Sequence, residues 1–320
     1  MTRLADALQR AHGTPVRLPD APAPAAPAAR TEPKPIAVVP RPSDVRAARH
    51  AGDPAPRHAE MPLFQPGLLT PLLAAPRPEN ERREWLKDPQ LVGKLLGTVG
   101  FSPAALEQYR KLAATLHHAQ TERGIKVIMT ASALPGEGKS LTAVNLALTL
   151  SHSYRRRVLL IDADLRRPTV QRIFGLPPIG GLNEALKADA DRPMTLTCVS
   201  DRLFVLPAGR PEADPMSGLT SDRMRRLITQ AAGAFDWVII DTPPVGLLPD
   251  ASLLADFVDG VLLVVRAGKA PFRMVKRTVE AITHERILGV VMNAVDIAHD
   301  RNAGGYYEYY GDGYHGEGKK

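Results

Sequence analysis

Cysteine is nearly absent from this sequence of 320 residues, since Cys198 is the only one. A single thiol per chain excludes an intramolecular disulfide and any zinc or iron–sulfur site that needs several cysteines of one chain. This usage agrees with a reducing compartment. Cys198 stands in a short strand-like run, MTLTCV, where we interpret it as a small apolar core residue.

Long apolar runs and a strong charge excess are absent too. No stretch approaches the roughly 20 apolar residues that span a bilayer, and the N-terminus MTRLADALQR lacks the apolar segment of a secretory signal. We therefore expect a cytoplasmic protein. The net charge of +7 is modest for 320 residues and no lysine-rich block dominates, so we expect no nucleic-acid partner.

Large apolar side chains are scarce in residues 1–78. This part holds 16 of the 30 prolines, often alternating with alanine as in PDAPAPAAPAAR. Proline fixes φ and removes backbone donors, so we expect residues 1–78 to be a disordered, partly extended tether. Two segments stand out, MTRLADALQRAHG and MPLFQPGLLTPLLAA, and each fits either a docking segment or an unspecific apolar spot in a loose tail.

From residue 79 the composition is globular. Ser102 and Pro103 predict the N-cap and first position of a helix over SPAALEQYRKLAATLHHAQ. Apolar, β-branched runs then alternate with helical stretches, which predicts a doubly wound α/β domain with a mostly parallel sheet and helices on both faces. The predicted strands are KVIMTAS, RVLLIDAD, LFVLPAG, WVIIDTP, GVLLVVRAG and ILGVVMN, and the predicted helices are SLTAVNLALTLSH, MSGLTSDRMRRLITQAA and MVKRTVEAITHE.

A glycine-containing loop joins the first strand to the next helix. Residues 133–140, ALPGEGKS, match the phosphate-loop pattern G-x-x-x-x-G-K-[ST], except that alanine replaces the first glycine. Backbone amides of such a loop and the helix N-terminus bind polyphosphate, Lys139 reaches the β- and γ-phosphates, and the Ser140 hydroxyl binds Mg²⁺. The predicted nucleotide-binding residues of this loop are Pro135, Gly136, Glu137, Gly138, Lys139, Ser140 and Leu141.

Acidic residues follow two of the predicted strands. Asp162 ends one strand, Asp164 comes directly after it, and Asp241 ends another. Ligands of open α/β sheets gather at the carboxyl ends of the strands, where carboxylates hold Mg²⁺ directly or through water. Each aspartate taken alone also fits a helix cap or a solvated strand end. Asn293, at the end of ILGVVMN, fits either a base contact or a turn cap.

The chain ends in YYEYYGDGYHGEGKK, which contains five of its seven tyrosines. The glycines around them predict a flexible segment, residues 302–320. The clustered tyrosines fit a substrate for phosphorylation or an aromatic contact surface. The five are Tyr306, Tyr307, Tyr309, Tyr310 and Tyr314.

These features together resemble one family. The PGEGKS loop, the segment DADLRRP, the strand end DTPP and the tyrosine-rich end resemble the bacterial tyrosine autokinases (BY-kinases) of capsule and exopolysaccharide systems, over roughly residues 100–314. The first and third motifs alone indicate only P-loop ATPases related to MinD and ParA. The resemblance implies a kinase domain over residues 79–301 with ATP and Mg²⁺ as cofactors. It implies catalytic roles for Lys139, Asp162, Asp164 and Asp241, Mg²⁺ binding by Ser140, Asp162 and Asp241, and ATP contacts by Arg166 and Asn293.

The resemblance also implies a reaction and a set of binding partners. It implies transfer of phosphate from ATP to the C-terminal tyrosines, in trans, as a control of polysaccharide polymerisation and export. The implied partners are a membrane-spanning activator or polysaccharide co-polymerase, further copies of the chain, and a cognate tyrosine phosphatase, which places the protein at the inner face of the plasma membrane. Glu107 and Arg110 match two thirds of the family's E-x-x-R-x-x-R subunit-interface motif, whose third position here is Ala113.

Two other functions fit part of the sequence. One is a positioning ATPase of the MinD/ParA type without kinase activity, although that group carries a second lysine where this chain has Leu134. The other is a nucleotide-binding regulator of polymer export that acts by assembly and not by catalysis. An iron–sulfur carrier ATPase is excluded because one cysteine per chain supplies no cysteine pair.

Overall fold

The computed structural model describes residues 69–70, 91–176, 180–187, 194–246 and 250–295, all within the unit Pro62–Lys320. Nearly all of the predicted tether, 1–78, and the whole tyrosine segment, 302–320, lie outside these residues. The domain boundaries at 78 and 301 therefore stay predictions. No helix within the described ranges is both long and apolar enough to cross a membrane.

Nine strands form two sheets in the described part of the chain. They are β1 (Leu69–Thr70), β2 (Val127–Ser132), β3 (Val158–Asp162), β4 (Met194–Thr195), β5 (Thr197–Ser200), β6 (Leu203–Leu206), β7 (Trp237–Asp241), β8 (Gly260–Arg266) and β9 (Ile287–Asn293). Strands β1 and β4 pair as a short parallel ladder. The other seven form one sheet in the order β5-β6-β3-β7-β2-β8-β9, parallel except for β5, which runs antiparallel to β6.

The central strands are buried over their whole length, as expected for a parallel sheet covered on both faces. Every residue of β2, β3 and β7 is buried, and each of these strands is rich in apolar, often β-branched, residues. The edge strand β9 differs from the prediction, because Val290 and Met292 are 41% and 52% exposed. Its sequence is as apolar as that of the central strands, but among the described strands it pairs with β8 alone.

Eight helices connect the strands within the described residues. They are α1 (Pro103–Arg123), α2 (Lys139–His152), α3 (Val170–Ile173), α4 (Leu182–Lys187), α5 (Met216–Leu219), α6 (Asp222–Ala234), α7 (Asp250–Leu254) and α8 (Phe272–Ile282), with 3₁₀ turns at Ala255–Phe257 and His284–Arg286. The predicted cap of α1 is confirmed, since the Ser102 hydroxyl accepts a hydrogen bond from the Ala105 amide at 3.4 Å.

The prediction of one continuous helix over MSGLTSDRMRRLITQAA is wrong. The structure divides this stretch into α5 and α6 at Ser221, which has extended backbone angles. The Ser221 hydroxyl accepts from the Met224 amide at 3.2 Å and donates to the Gly218 carbonyl at 2.6 Å. One side chain therefore forms hydrogen bonds with a backbone carbonyl at the end of α5 and a backbone amide at the start of α6. Such bonds from a serine side chain to nearby backbone favour a break in the helix over its continuation.

Helices cover both faces of the sheet, which confirms the doubly wound prediction. On one face, Leu146 and Leu150 of α2 pack in one cluster with Ile128, Leu160 and Ile239. On the other face, α6 packs in a second cluster with the residues that alternate with these along the strands. That second set includes Met129, Ile161, Met224, Leu227 and Ile240. Burial of each such side chain stabilises the fold by about 1.5–3 kcal/mol.

Candidate active site

The phosphate loop lies between the end of β2 at Ser132 and the start of α2 at Lys139. Gly136 and Gly138 have φ values of 75° and 94°, in the left-handed region that side chains rarely adopt. A Cβ atom on Gly138 would lie 1.9 Å from Asn293 Nδ2. Glycine is therefore required at 138 both by the backbone conformation and by the closeness of β9.

Lys139 joins the loop to the acidic strand ends. Its ammonium group donates to Asp241 Oδ1 at 2.6 Å, lies 3.3 Å from Ser140 Oγ, and is 4.0 Å from Asp164 Oδ2. Lys139 is 6% exposed and Asp241 is fully buried, so this is an ion pair in the interior of the site. The structure thus brings together Lys139, Ser140, Asp164 and Asp241, as the sequence predicts.

Asp241 retains one oxygen without a partner. Its Oδ1 accepts from Lys139 and, at 3.4 Å, from the Thr130 hydroxyl. Its Oδ2 is buried and has no hydrogen-bond partner among the described residues. A buried carboxylate oxygen left in this state is costly unless a ligand or ion completes it. Together with the Ser140 hydroxyl, this oxygen fits the hard oxygen ligands that Mg²⁺ takes.

The remaining Mg²⁺ ligands would have to come from phosphate and water. Within the described ranges, no group of three histidine, cysteine or acidic side chains is close enough to hold a metal ion. Mg²⁺ at nucleotide sites is ordinarily bound by one or two protein groups, phosphate oxygens and water. The site therefore suits a nucleotide-bound Mg²⁺ better than an all-protein cage.

Asp162 at the end of β3 is engaged with the backbone. Its Oδ1 accepts from the Asp164 amide at 3.1 Å, and its Oδ2 accepts from the amides of Thr169 and Val170 at 3.1 and 2.9 Å. Complete burial, and then the neighbouring Asp241 carboxylate, raise the pKa of Asp162 from its ordinary value of 3.8 to about 8. Asp162 therefore orders the turn from β3 into α3 through its hydrogen bonds to backbone amides.

Asp164 lies nearer to the open part of the site. Its Oδ1 accepts from the Arg167 amide at 3.1 Å, while its Oδ2 is the oxygen that faces Lys139. Burial raises the pKa of Asp164, and the Lys139 ammonium opposes that rise. A carboxylate with a raised pKa and 7% exposure suits a group that accepts a proton.

The other predicted nucleotide residues have protein contacts of their own. A guanidinium nitrogen of Arg166 donates to the Ala213 carbonyl in the loop after β6. The Asn293 amide donates to the Glu137 carbonyl at 2.8 Å, so it contacts the loop. Leu141 packs, partly buried, against the cluster beneath α2. Nucleotide contacts by these three side chains stay predictions.

Glu137 and Lys269 have roles in the loop that its pattern does not reveal. Glu137 is fully buried, and its carboxylate accepts from the Leu134 amide at 2.7 Å and the Arg266 amide at 3.3 Å. Lys269, which the sequence analysis missed, donates to the Pro135 carbonyl at 3.1 Å. The one available signal was its place just after the strand end at Arg266.

The predicted interface residues lie on α1, and the structure does not place them with the loop. Glu107 and Arg110 form an exposed ion pair with 2.5 Å between Oε1 and Nη1. Ala113, at the third motif position, is fully buried in the core beneath α1.

The five C-terminal tyrosines lie outside the described residues, so neither subunit contact nor phosphorylation is tested by the structure.

Comparison with known proteins identifies similar chains. A sequence model of the ParA family, described as the NUBPL iron-transfer P-loop NTPase, matches residues 124–317. The tyrosine-protein kinase YwqD of Bacillus subtilis (strain 168) is 36% identical over 208 residues, which cover 64% of this chain and 86% of that kinase. The succinoglycan biosynthesis transport protein ExoP of Rhizobium meliloti (strain 1021) is 37% identical over 180 residues, 54% of this chain but 22% of ExoP.

Solved structures show the same similarity. The kinase domain of the Escherichia coli tyrosine kinase ETK superposes with a TM-score of 0.56 and 31% identity, over 60% of this chain and 76% of that domain. The residues matched by the family's sequence model include the phosphate loop and the acidic ends of β3 and β7. The similarity therefore extends over the parts of the chain that build the site.

Proposed function

Since this chain belongs to the bacterial tyrosine-protein kinases, within the ParA class of P-loop NTPases, we propose that it transfers phosphate from MgATP to the tyrosines of its own C-terminal segment. The observation that carries the proposal is the meeting of Lys139 and Asp241 beneath the phosphate loop, with Asp241 Oδ2 left for an ion. This arrangement suits phosphoryl transfer, in which positioning and charge neutralisation supply most of the catalysis.

Lys139 and Asp241 exchange partners in the proposed reaction. When the nucleotide enters, Lys139 turns from Asp241 Oδ1 to the phosphates and neutralises their charge. Asp241 and the Ser140 hydroxyl would hold Mg²⁺, whose charge would offset the charge that develops on the phosphates. Asp162 keeps its hydrogen bonds to the backbone and would contact the ion through water.

Asp164 is the group we assign to the incoming tyrosine. Both Asp162 oxygens accept backbone amides, whereas Asp164 Oδ2 has the longer contact, 4.0 Å from the Lys139 ammonium. An unperturbed phenol has a pKa of about 10, so the carboxylate takes the proton as the bond from the phenol oxygen to the γ-phosphorus forms, and not before. The bond between the γ-phosphorus and the bridging oxygen breaks in the same transfer, and ADP leaves with that oxygen.

The substrate is the tyrosine segment of a second copy. Its five phenols follow the kinase domain directly in sequence. Each phosphate adds about 1.5–2 negative charges, so several on one segment repel one another and weaken its binding near the aspartates. Phosphorylation in trans therefore both requires an oligomer and promotes its dissociation.

We place this reaction at the inner face of the plasma membrane, through a membrane-spanning activator. The support is ExoP, a succinoglycan biosynthesis transport protein of which this chain matches only 22%. By this proposal, the kinase controls exopolysaccharide polymerisation and export, and a cognate phosphatase reverses the modification.

Iron transfer, which the description of the matching family names, is not part of this proposal. The chain has one cysteine, and its thiol donates to the Ser200 carbonyl at 3.2 Å. One thiol per chain supplies no pair of thiolates for an iron–sulfur cluster.

A mixing experiment tests kinase activity and trans transfer together. Lys139→Met retains the tyrosines but loses the phosphate ligand, and a variant with all five C-terminal tyrosines changed to phenylalanine retains the site. We expect neither variant alone to gain phosphotyrosine on residues 306–314 after incubation with MgATP, and we expect Lys139→Met to gain it when the two are mixed. The measurement is phosphopeptide mapping by mass spectrometry.

Two results would contradict the proposal. Phosphotyrosine on Lys139→Met incubated alone would refute the role of Lys139. Release of inorganic phosphate by the unaltered chain, with no phosphotyrosine even when a candidate activator is present, would instead identify a positioning ATPase. The control is the unaltered chain without Mg²⁺, which should remain unmodified.

A further inference from the structure

Every carbonyl oxygen from Leu134 to Gly138 accepts a hydrogen bond from within the protein. The donors, in chain order, are Ser132 Oγ at 3.1 Å, Lys269 Nζ at 3.1 Å, Arg266 Nη1 at 3.3 Å, Asn293 Nδ2 at 2.8 Å and the Thr142 amide at 2.8 Å. Five consecutive carbonyls are thus held in place by hydrogen bonds. Because the carbonyl and the amide of one peptide group point in opposite directions, fixing these carbonyls also fixes the direction of the loop amides.

The amides on the other side of the loop have no such partners. In the described part of the chain, no acceptor contacts the amides of Gly136, Glu137 or Gly138. Successive amides without protein acceptors, followed by a helix N-terminus, form a concave site for an anion. The loop therefore has its carbonyls held by protein and its amides available to phosphate.

Three of the five donors come from one edge of the sheet. Arg266 ends β8, Lys269 lies in the turn that follows, and Asn293 ends β9; we call these three residues the edge clamp. The buried Glu137 carboxylate strengthens the connection, because it accepts from the Arg266 amide as well as from Leu134 within the loop. Residues at the ends of β8 and β9, near the edge of the sheet, thus hold the carbonyls of the loop that follows the central strand β2.

We propose that the edge clamp positions the phosphate loop for nucleotide binding, and that Lys269 is a positioning residue of this site. Lys269 acts through its hydrogen bond to the Pro135 carbonyl. When the ammonium donor is removed, the peptide group between Pro135 and Gly136 is free to rotate, and the loop amides no longer point in one direction. A Cβ atom on Gly136 would lie 2.8 Å from Lys269 Nζ, so the Lys269 side chain lies close against the loop at Gly136. The proposal relies on the proposed function only in requiring a nucleotide.

Positioning by the clamp should affect binding more than turnover. The loop contacts the phosphates in the ground state and in the transition state alike, and loss of such uniform binding raises KM while kcat changes little. Loss of a group that acts in the chemical step would instead lower kcat. This split separates a positioning role for Lys269 from a catalytic one.

The test is the affinity of the full chain for MgADP, measured by isothermal titration calorimetry. Lys269→Met removes the donor and the charge, Lys269→Gln keeps a donor without the charge, and Lys269→Arg keeps both. Lys276→Met is the matched control, since Lys276 is an exposed lysine on α8 that forms an ion pair with Glu280 at 3.9 Å. We expect Lys269→Met to raise the Kd about tenfold, and the other three variants to stay within about threefold of the unaltered chain.

The proposal fails if Lys269→Met binds MgADP as well as the unaltered chain does. It also fails if Lys269→Gln is as weak as Lys269→Met while Lys269→Arg is normal, because charge and not a hydrogen bond would then be responsible. Thermal unfolding without nucleotide should be the same for all four variants, and a lower midpoint for Lys269→Met alone would identify a merely structural role. MgADP binding needs no phosphotransfer, so this outcome does not depend on kinase activity.

Discussion

The raised pKa of Asp162 predicts that the ligand-free protein loses stability as the pH rises. Between the ordinary pKa of 3.8 and the folded value of about 8, the folded state keeps a proton on Asp162 that the unfolded state has lost. The folded state therefore binds more protons, and the free energy of unfolding falls with increasing pH in this window. The loss is complete above the folded pKa, because both states are then ionised.

The magnitude follows from linkage. One group that is protonated only in the folded state contributes about 1.4 kcal/mol for each pH unit within the window. Between pH 5.5 and 7.5, Asp162 should therefore lower the free energy of unfolding by about 2–3 kcal/mol. The physical cause is the burial of a carboxylate next to Asp241, whose own charge is balanced by Lys139 at 2.6 Å.

Urea unfolding of the full chain at pH 5.5, 6.5 and 7.5, without Mg²⁺ or nucleotide, measures the effect. Asp162→Asn is the control, since it removes the titration while keeping a side-chain oxygen for the Thr169 and Val170 amides. It should cost about 1–2 kcal/mol at low pH, because one backbone donor loses its acceptor, but its stability should change less with pH. The difference between the two proteins isolates the contribution of Asp162 from that of every other group in the chain.

If Asp162→Asn shows the same dependence on pH as the unaltered chain, the reasoning is refuted. Binding of Mg²⁺ and nucleotide should reduce the dependence, because a cation favours the ionised carboxylates. The affinity for MgADP should accordingly rise between pH 6.5 and 8, with release of a proton that calorimetry in buffers of different ionisation enthalpy detects.

Three further predictions follow from the geometry. Asp164→Asn should lower the rate of tyrosine phosphorylation by about 10²–10⁴-fold and leave the Kd for MgADP within about threefold, whereas an equal loss in both would contradict its role as the base. Ser221→Ala should reduce the free energy of unfolding in urea by about 1–2 kcal/mol, and Ser102→Ala by less, because the Ser102 cap is exposed and longer. Leu150→Ala should cost about 2–5 kcal/mol and Val290→Ala less than about 1 kcal/mol; similar costs would show that β9 is covered in solution.

Most of the fold and the centre of the site were predictable because their signals are local. The six predicted strands are confirmed, since short apolar runs between helical stretches have few alternatives in a chain of this composition. The resemblance to tyrosine kinases is confirmed by proteins that share 31–36% identity with the chain. The division at Ser221 was not predictable from periodicity, because serine and threonine fit a helix interior and a cap equally well until the neighbouring carbonyls are located.

The sequence by itself determined the phosphate loop and the aspartates at the strand ends, because each is a contiguous motif whose neighbours set its backbone. Only the tertiary structure decided which of these groups meet. Lys139 and Asp241 are 102 residues apart, and Lys269 and Pro135 are 134 apart, yet each pair is in contact. Parallel strands bring their carboxyl ends to one edge whatever their order in the chain, so strand order, which no local pattern encodes, selects Asp241 as the partner of Lys139 and Lys269 as a holder of the loop.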